Sequence, residues 1–482
     1  MMYKLDQDRV PLLEAMKKYA NCEVAQFDVP GHKRGRGVVI LNEYFGKQIM
    51  RLDTNSLPLL DNVGNPTGVI KEAQAMLADA YGAKSAFFIV NGSTLAIHAM
   101  LMAVLSPGDK VLMPKNIHKS ALNGLILCGA IPIYMNPEVC PQEKLSQNVS
   151  VSEVRRLLDA SPDVVAVFVL NPTYFGYVSD LQAISHLCHE RGVLLLVDEA
   201  HGAHFPFHPQ MPPSAMACDA DLSCISLHKT GGALTQASAL IVKSHRVDLI
   251  RVQQVLNILQ STSASYLLMG SLDGARYNLV KHGCAQIEQA ISLSNQARAA
   301  LSKVAGLSVV SAPKFYDVTK LIINVSGLAL SGFAVYELLW REYDVQLELC
   351  ETNHVLAIIS LGDCAKSIDK LVMAMRDIAC KYPGNGSDQM PAYEASFNNV
   401  IVQQSPRDAY FSRKELVKLA DAVGRIAGET VMTYPPGIPI ISPGELVTND
   451  VVRVLKDLKA HKAFIVDNTD SQLEKILVVV EE

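Results

Sequence analysis

An acidic and a basic residue each stand at the end of a short apolar stretch of the chain. Asp198 follows Val193–Val197, and Lys229 lies just beyond Leu222–Ser226. Both stretches predict buried strands, and side chains at the carboxyl ends of neighbouring strands in an open α/β sheet meet in the crevice that binds ligands. There a lysine can form a Schiff base with an aldehyde cofactor, while a carboxylate keeps a ring nitrogen protonated so that the ring accepts electrons.

The polar residues near this pair favour a cofactor that carries a phosphate. Ser226 and His228 flank the lysine, and residues 91–94 (Asn-Gly-Ser-Thr) follow another apolar stretch. A strand-to-helix turn with small hydroxyls and free backbone N–H groups is typical of phosphate-ester sites. His118 also follows a short strand. The local pattern leaves open the alternative of ordinary strand-end residues in an α/β protein, with His118 a satisfied surface histidine.

Composition predicts an ordinary globular chain with no affinity for nucleic acid or membranes. The chain is 49% hydrophobic and 19% charged. Its length of 482 residues is enough for two or three domains. The net charge of −5 provides no basic surface for nucleic acid or an anionic membrane. Residues 1–9 lack the apolar core of a signal peptide, and no stretch reaches the ~18 apolar residues of a membrane span. The ten cysteines form no CxxC pair and no metal-ligand spacing, which favours reduced thiols, no metal and a cytoplasmic location.

Strands and helices alternate from about residue 56 to about residue 305. The apolar stretches are nearly continuous, as in strands that are covered on both faces. Repeated βαβ units imply an α/β domain with a mainly parallel sheet and right-handed crossovers. Neither GxGxxG after the first strand nor GxxxxGK[ST] occurs, which disfavours a dinucleotide fold and a P-loop. The predicted strands are Ala86–Val90, Lys110–Met113, Ile131–Met135, Val164–Leu170, Val193–Val197, Leu222–Ser226 and Ala237–Val242. The helices predicted between them include Thr67–Tyr81, Leu95–Leu105 and Val151–Leu158.

The remaining segments predict an N-terminal arm, a small α+β domain and a C-terminal α+β domain. Residues 1–55 form the arm, whose basic loop is by composition a solvated surface loop. Residues 306–380 form the small domain, and the Gly, Pro and Ser content of residues 381–395 indicates a linker. The C-terminal domain covers residues 396–482.

Short motifs that span nearly the whole chain carry a resemblance to a known family. They are residues 30–35 (PGHKRG), 91–94 (NGST), 118–120 (HKS), 171–176 (NPTYFG), 198–204 (DEAHGAH), 226–230 (SLHKT) and 434–439 (YPPGIP). With these motifs in this order, the chain resembles the Orn/Lys/Arg decarboxylases, which depend on pyridoxal 5'-phosphate and have the aspartate-aminotransferase-like fold. It is most similar to their short form, which lacks an N-terminal receiver-like domain.

The resemblance implies a role for each candidate residue. Lys229 would form the Schiff base, Asp198 would pair with the pyridine nitrogen, and His118 would stack on the ring. His201 would lie close below the ring and polarise the substrate or the phenolic oxygen. The phosphate ligands would be Ser93, Thr94, Ser226 and His228. The N-terminal arm would line the active site.

The resemblance also implies at least a homodimer, because the family builds its sites across the subunit interface. In a helix predicted near residues 251–270, a hydroxyl cluster includes Thr262, which would reach the phosphate of the partner subunit. This cluster departs from the family's proline-containing form. Its alternative interpretation is a group that caps or kinks the helix.

The substrate of such an enzyme would be a small basic amino acid, whose cationic side chain needs an acidic anchor. Glu348, Asp61 and Glu445 are candidates, and the resemblance favours Glu348. Nothing local separates arginine from lysine or ornithine, and only the likeness to short-form members favours arginine, with agmatine and CO2 as products. The alternatives are lysine or ornithine decarboxylation, another reaction such as transamination or aldol cleavage, and a silent regulatory subunit. The sequence shows no clear arginine for a second carboxylate, and the intact motifs disfavour a silent subunit.

Overall fold

The computed structural model describes residues 3–310, 316–384, 400–433, 437–460 and 465–480. No helix within these ranges is both long and apolar enough to cross a membrane. Helices α1 to α15 are Pro11–Asn21, Val39–Phe45, Lys47–Leu52, Val69–Ala80, Gly92–Val104, Lys119–Cys128, Val151–Ala160, Leu181–Glu190, Leu227–Thr230, Leu249–Leu259, Tyr266–Leu301, Gly332–Tyr343, Ala365–Lys381, Pro406–Phe411 and Asn449–Ala460. Strands β1 to β16 are Ser85–Ile89, Lys110–Pro114, Ile131–Met135, Val164–Leu170, Leu194–Asp198, Leu222–Ile225, Ser238–Val242, Ser308–Val309, Lys320–Asn324, Leu349–Cys350, His354–Ile358, Lys414–Lys418, Val431–Thr433, Ile438–Ile441, Ile465–Val466 and Lys475–Val479.

The first seven strands form one sheet in the order β1–β7–β6–β5–β4–β2–β3. Pairs β5–β6, β2–β4 and β2–β3 are parallel, whereas β7 runs antiparallel to both of its neighbours. The prediction of a mainly parallel sheet is therefore confirmed. All seven predicted strands occur, each with ends within one residue of the prediction. The continuous apolar runs decide this agreement, because strands that are buried on both faces leave no polar alternation to blur their ends.

The chain divides into two compact units, residues 1–104 with 196–285 and residues 105–195 with 286–482. In the first unit, α5 packs against β6 and β7, and α4 packs against β1. Helix α5 is apolar on nearly every side, which suits the burial of seven of its residues, among them Leu95 and Met100. Helix α5 therefore supports β6, the strand that precedes Lys229.

The hydroxyl cluster at residues 261–263 separates two helices in the first unit. Helix α10 ends at Leu259, and α11 begins at Tyr266. The N–H of Ser263 donates to the hydroxyl of Ser261 at 3.1 Å, a local bond that competes with helical pairing. The predicted interruption is thus present, and Thr262 is exposed within it.

The basic loop of the N-terminal arm is more ordered than a solvated loop. Arg34 donates to the carbonyl oxygens of Cys22 (2.6 Å) and Tyr19 (3.0 Å). Nε2 of His32 lies 3.1 Å from Oδ2 of Asp53. The composition-based interpretation of this loop is therefore wrong for these two residues, because their side chains are bound within the arm.

In the second unit, the strand order β10–β11–β9–β8 builds a small antiparallel sheet that packs with α12 and α13 around an apolar core. A separate core, which includes Ile441 and Leu455, lies in the C-terminal segment, defined here as residues 400–480 where described. Most of the expected linker, residues 385–395, and the first part of the YPPGIP motif, residues 434–436, lie outside the described residues.

A buried acid–histidine contact ties the loop after β3 to the small sheet. Oε2 of Glu143 lies 3.2 Å from Nε2 of His354 and accepts from the Asn324 side chain at 2.8 Å. The hydrogen bond from His354 lowers the pKa of Glu143, partial burial raises it, and the bond from Asn324 lowers it further, so the net pKa lies below the ordinary value.

We expect Glu143→Gln to lower the free energy of unfolding at pH 7 by about 1–2 kcal/mol, since hydrogen bonds to a charged group are lost. A depressed folded-state pKa contributes stability above the unfolded pKa of about 4.3, and that stability is lost as the pH falls through the folded pKa. The deficit measured by urea unfolding should therefore shrink below about pH 4.5. Glu138→Gln, at an exposed acid of the same loop, is the control. An equal deficit at both pH values would contradict the assignment.

Candidate active site

Asp198 and Lys229 lie at the same edge of the sheet. Asp198 is the last residue of β5, and Lys229 lies in the short helix α9 directly after β6. These strands are parallel neighbours, with Asp198 opposite Cys224. The carboxyl ends of both strands therefore bring the two side chains to one place, as the sequence predicts.

The carboxylate of Asp198 is buried and held through one of its two oxygens. Its Oδ1 accepts the N–H of Ala200 at 3.1 Å and the thiol of Cys224 at 3.3 Å. No hydrogen bond to Oδ2 is formed among the described residues, so this oxygen is available to a donor on a ligand. Burial raises the pKa of Asp198; the charge of Lys229 and the two hydrogen bonds lower it by less, so the net shift is upward.

The amine of Lys229 contacts a buried histidine. Its Nζ lies 3.0 Å from Nε2 of His201, which is 5% exposed. A protonated amine can only donate, so Nε2 of His201 accepts from it. The arrangement gives the lysine a nearby proton acceptor, which a nucleophilic amine requires.

Structural contacts fix the turn that carries His201. The carboxylate of Glu199, 1% exposed, accepts the N–H of Ala215 at 2.7 Å and the hydroxyl of Ser223 at 3.3 Å. The hydroxyl of Tyr81 donates to the Ala203 carbonyl at 2.6 Å. A Cβ on Gly202 would approach Cγ of Glu199 to 2.7 Å, so only glycine fits. Glu199 therefore has a structural role beside Asp198.

The proposed phosphate ligands occupy two turns of the first unit. Helix α5 begins at Gly92, earlier than the sequence predicts, which places Ser93 and Thr94 in its first turn. The N–H groups of a first turn lack helical acceptors and favour an anion. Gly92 has φ +71°, a conformation that favours glycine, and lets the chain turn sharply into the helix.

The second turn contains Ser226 and His228. The buried Oγ of Ser226 lies 3.5 Å from the hydroxyl of Ser238. Nδ1 of His228 donates to the Ala237 carbonyl at 3.2 Å, which directs Nε2 away from this contact. This turn thus offers a hydroxyl and an imidazole next to Lys229.

His118, in the second unit, is the N-cap residue of α6. Its Nδ1 accepts the N–H of Ser120 at 3.2 Å and lies 2.8 Å from the Ser120 hydroxyl. An acceptor at Nδ1 leaves the proton of the neutral ring on Nε2. The ring orientation is therefore fixed by the start of the helix.

Glu348, also in the second unit, is exposed and has one tyrosine partner that sequence reasoning missed. Its Oε1 accepts the hydroxyl of Tyr174 at 3.1 Å. Tyr174 belongs to the NPTYFG motif, which was the available signal, although no local pattern links it to a residue so far along the chain.

The other two candidate acids are already engaged within the fold. Asp61 accepts N–H groups that include those of Thr67 and Gly68 before α4. Burial raises the pKa of Asp61, but these backbone donors outweigh it and the net pKa is lowered. Glu445 forms a buried ion pair with Lys115. Of the three acids, Glu348 is the one with an exposed carboxylate that no cation neutralises in the described chain.

Comparison with known proteins settles the family. The model of the Orn/Lys/Arg decarboxylase major domain matches residues 10–313, and that of the C-terminal domain matches residues 389–467. The chain belongs to the Orn/Lys/Arg decarboxylase family. Arginine decarboxylase from Halalkalibacterium halodurans is 38% identical over 459 residues, which are 94% of each chain. Arginine decarboxylase from Bacillus subtilis is 38% identical in an alignment of 487 positions that covers 99% of each chain.

Solved structures show the same fold at lower identity. The lysine decarboxylase LdcF of Francisella novicida superposes with a TM-score of 0.85 at 19% identity, covering 98% of this chain and 81% of that one. The expected fold class is therefore confirmed for this decarboxylase. Among the described residues, no cluster of three or more His, Cys, Asp or Glu side chains could hold a metal ion.

Proposed function

We propose that this decarboxylase converts L-arginine to agmatine and CO2 with pyridoxal 5'-phosphate. The observation that carries the proposal is the joint position of the buried Asp198 carboxylate and the Lys229 amine at one edge of the sheet. The two arginine decarboxylases that are 38% identical over nearly the whole chain support arginine as the substrate. Agmatine would then enter polyamine biosynthesis.

The residues of the first unit fit this cofactor. They provide an amine for an aldehyde, a buried carboxylate with one uncommitted oxygen for a ring nitrogen, and a helix start for a phosphate. When bound, pyridoxal phosphate supplies a ring that accepts the electron pair left when the carboxylate departs as CO2. Ser93, Thr94, Ser226 and His228 would hold the phosphate, and Thr262 would reach that of a partner subunit in a homodimer.

Lys229 and His201 would move protons at the reacting end of the substrate. A lysine amine, with an ordinary pKa of about 10.4, must lose a proton before it can attack the aldehyde carbon of the cofactor. Nε2 of His201, 3.0 Å from Nζ, can take that proton. The Asp198 carboxylate would remain charged opposite a cationic ring nitrogen, because the opposite charge repays the cost of its burial.

We also propose one role each for His118 and Glu348, as the family resemblance implies. His118 would stack on the cofactor ring, with its orientation set by Ser120. Glu348 would accept the guanidinium, a group whose fork of donors matches a carboxylate. We also propose a cytoplasmic location. We further propose that the chain consists of an N-terminal arm (residues 1–55), a large cofactor-binding domain (56–305), a small domain (306–380), a linker (381–395) and a C-terminal domain (396–482).

We expect Glu348→Gln to raise the KM for arginine about 10- to 100-fold, because a charge-assisted hydrogen bond is lost. Tyr174→Phe should raise KM about 2- to 10-fold, since the hydrogen bond that orients the Glu348 carboxylate disappears. Steady-state kinetics check both values. Glu342→Gln, at an exposed acid on α12, is the matched control. If all three variants have the same KM, Glu348 does not anchor the substrate.

Parallel kinetics with arginine, lysine and ornithine test the substrate assignment. We expect kcat/KM to be highest for arginine, with agmatine as the amine product. A higher kcat/KM for lysine or ornithine would reject arginine and leave the proposed roles of Asp198 and Lys229 unchanged.

A further inference from the structure

The C-terminal segment holds both ends of the helix that His118 caps. The N–H of Lys119, the first residue of α6, donates to the carbonyl of Gly437 at 3.0 Å. The amine of Lys119 lies 3.1 Å from Oδ2 of Asp467. At the other end of α6, Arg407 donates to the Leu127 carbonyl at 2.9 Å. The direction of α6 is therefore set by residues far along the chain.

A buried ion pair holds the strand end that leads to His118. Lys115 follows β2 directly, and its amine pairs with the carboxylate of Glu445. The two side chains are only 1% and 5% exposed. A buried ion pair is a poor source of net stability, because desolvation offsets the attraction between the charges. Its use here is better explained by what it positions.

The Glu445 carboxylate has further donors that fix its place. The N–H of Ser442 donates to Oε2 at 3.2 Å. The Tyr134 hydroxyl also bonds to Glu445; burial, then the charge of Glu445 and this bond, raise the Tyr134 pKa, so the hydroxyl remains a donor. The Tyr134 ring centroid lies 4.8 Å from the Lys115 amine, a cation–π distance. Both charges thus sit in a single defined geometry.

The residues between Lys115 and His118 are fixed as well. The side-chain amide of Asn116 donates to the Ser146 hydroxyl at 2.8 Å and to the Gln147 carbonyl at 3.1 Å. Ile117 is 2% exposed. His118 is the first partly exposed side chain after β2. Because residues 115–117 are held in place, they also fix the position of its backbone.

We infer that Lys115 and Glu445 are positioning residues that let the C-terminal segment set the place of His118. The inference rests on the proposed function, in which His118 stacks on the cofactor ring. A misplacement of about 1 Å can cost up to about 100-fold in rate. The C-terminal segment therefore has a part in catalysis although it supplies none of the proposed ligands.

The test compares the double variant Lys115→Met/Glu445→Gln, in which the amide oxygen still accepts from Ser442 and Tyr134, with wild type. Replacing both charges together avoids the stranded charge that a single change leaves, so the variant should keep the wild-type thermal midpoint. Modification of His118 by diethyl pyrocarbonate, followed by peptide mass spectrometry on cofactor-free protein, reports its position. The exposed His282 is the internal reference. The matched control is Asp450→Met/Arg453→Met, at an exposed ion pair of the same segment.

We expect diethyl pyrocarbonate to modify His118 at least about threefold faster in the double variant than in wild type, because the segment around His118 opens more often. Its kcat for arginine should fall about 10- to 100-fold while KM changes little. Arg407→Met changes an exposed residue and leaves the core intact. It should also accelerate modification of His118, but by less than the double variant does. The control should match wild type in every readout.

Wild-type His118 modification together with wild-type kcat in the double variant would overturn the inference. So would unchanged His118 modification in Arg407→Met if the double variant does not fold. A wild-type protein that fails to turn over arginine would instead reject the proposed function. The modification rates would still decide the positioning, because they are measured without cofactor or substrate.

Discussion

Lys229→Ala is expected to abolish turnover, with kcat reduced by on the order of 10³-fold or more, because both covalent attachment and a proton carrier are lost. The protein should also lose the visible absorbance band of the lysine-bound cofactor. The structural reason is the 3.0 Å contact with His201, which places a proton acceptor beside the amine. Spectra and arginine kinetics of the purified variant measure both effects.

The matched control is Lys84→Ala, which removes an exposed amine from the same compact unit. This variant should keep the absorbance band and the wild-type kcat. Retention of substantial turnover by Lys229→Ala, with the control unchanged, would contradict the role given to Lys229.

Asp198→Asn is expected to lower kcat by about 10²- to 10³-fold while the cofactor still binds, because a neutral amide cannot balance a cationic ring nitrogen. Although the substitution lowers kcat, it should stabilise the cofactor-free protein. Burial raises the pKa of Asp198, with smaller opposing effects of Lys229, Ala200 and Cys224, so the charged carboxylate destabilises the cofactor-free fold. The amide should therefore raise the thermal midpoint of the cofactor-free protein.

The pH dependence follows from the sign of that shift. An acid with a raised folded-state pKa destabilises the fold fully above that pKa. The penalty shrinks as the pH falls below it and is gone below the unfolded-state pKa of about 3.9. The gain in thermal midpoint from Asp198→Asn should thus be largest at alkaline pH and shrink on acidification. Asp219→Asn, at an exposed position with φ +59° where asparagine is tolerated, is the control. A variant with normal kcat, or one that destabilises the cofactor-free protein at every pH, would contradict the account.

Much of the first unit's candidate site could be predicted from sequence because its geometry is local. Asp198 and Lys229 each follow a continuous apolar stretch, and strand neighbours share an edge. The sequence predicts a later start for α5 than the structure shows, because Gly92, Ser93 and Thr94 are poor helix formers by propensity. Their position at an N-terminus, where small hydroxyl residues are favoured, outweighs that preference.

The contacts that could not be predicted join residues far apart in the chain. Tyr174 bonds to Glu348, and Lys115 pairs with Glu445, across separations of 174 and 330 residues. No periodicity or turn pattern encodes such pairs, since they depend on how separate elements pack. The same holds for the thiol of Cys224 on Asp198, where the sequence indicates only a buried cysteine.

Turnover of arginine labelled at its carboxyl carbon tests the central claim most directly. Wild-type protein supplied with pyridoxal phosphate should release labelled CO2 and agmatine in equal amounts, and Lys229→Ala should release neither. Labelled arginine that stays intact in wild-type protein, despite a clear visible band from bound cofactor, would contradict the account.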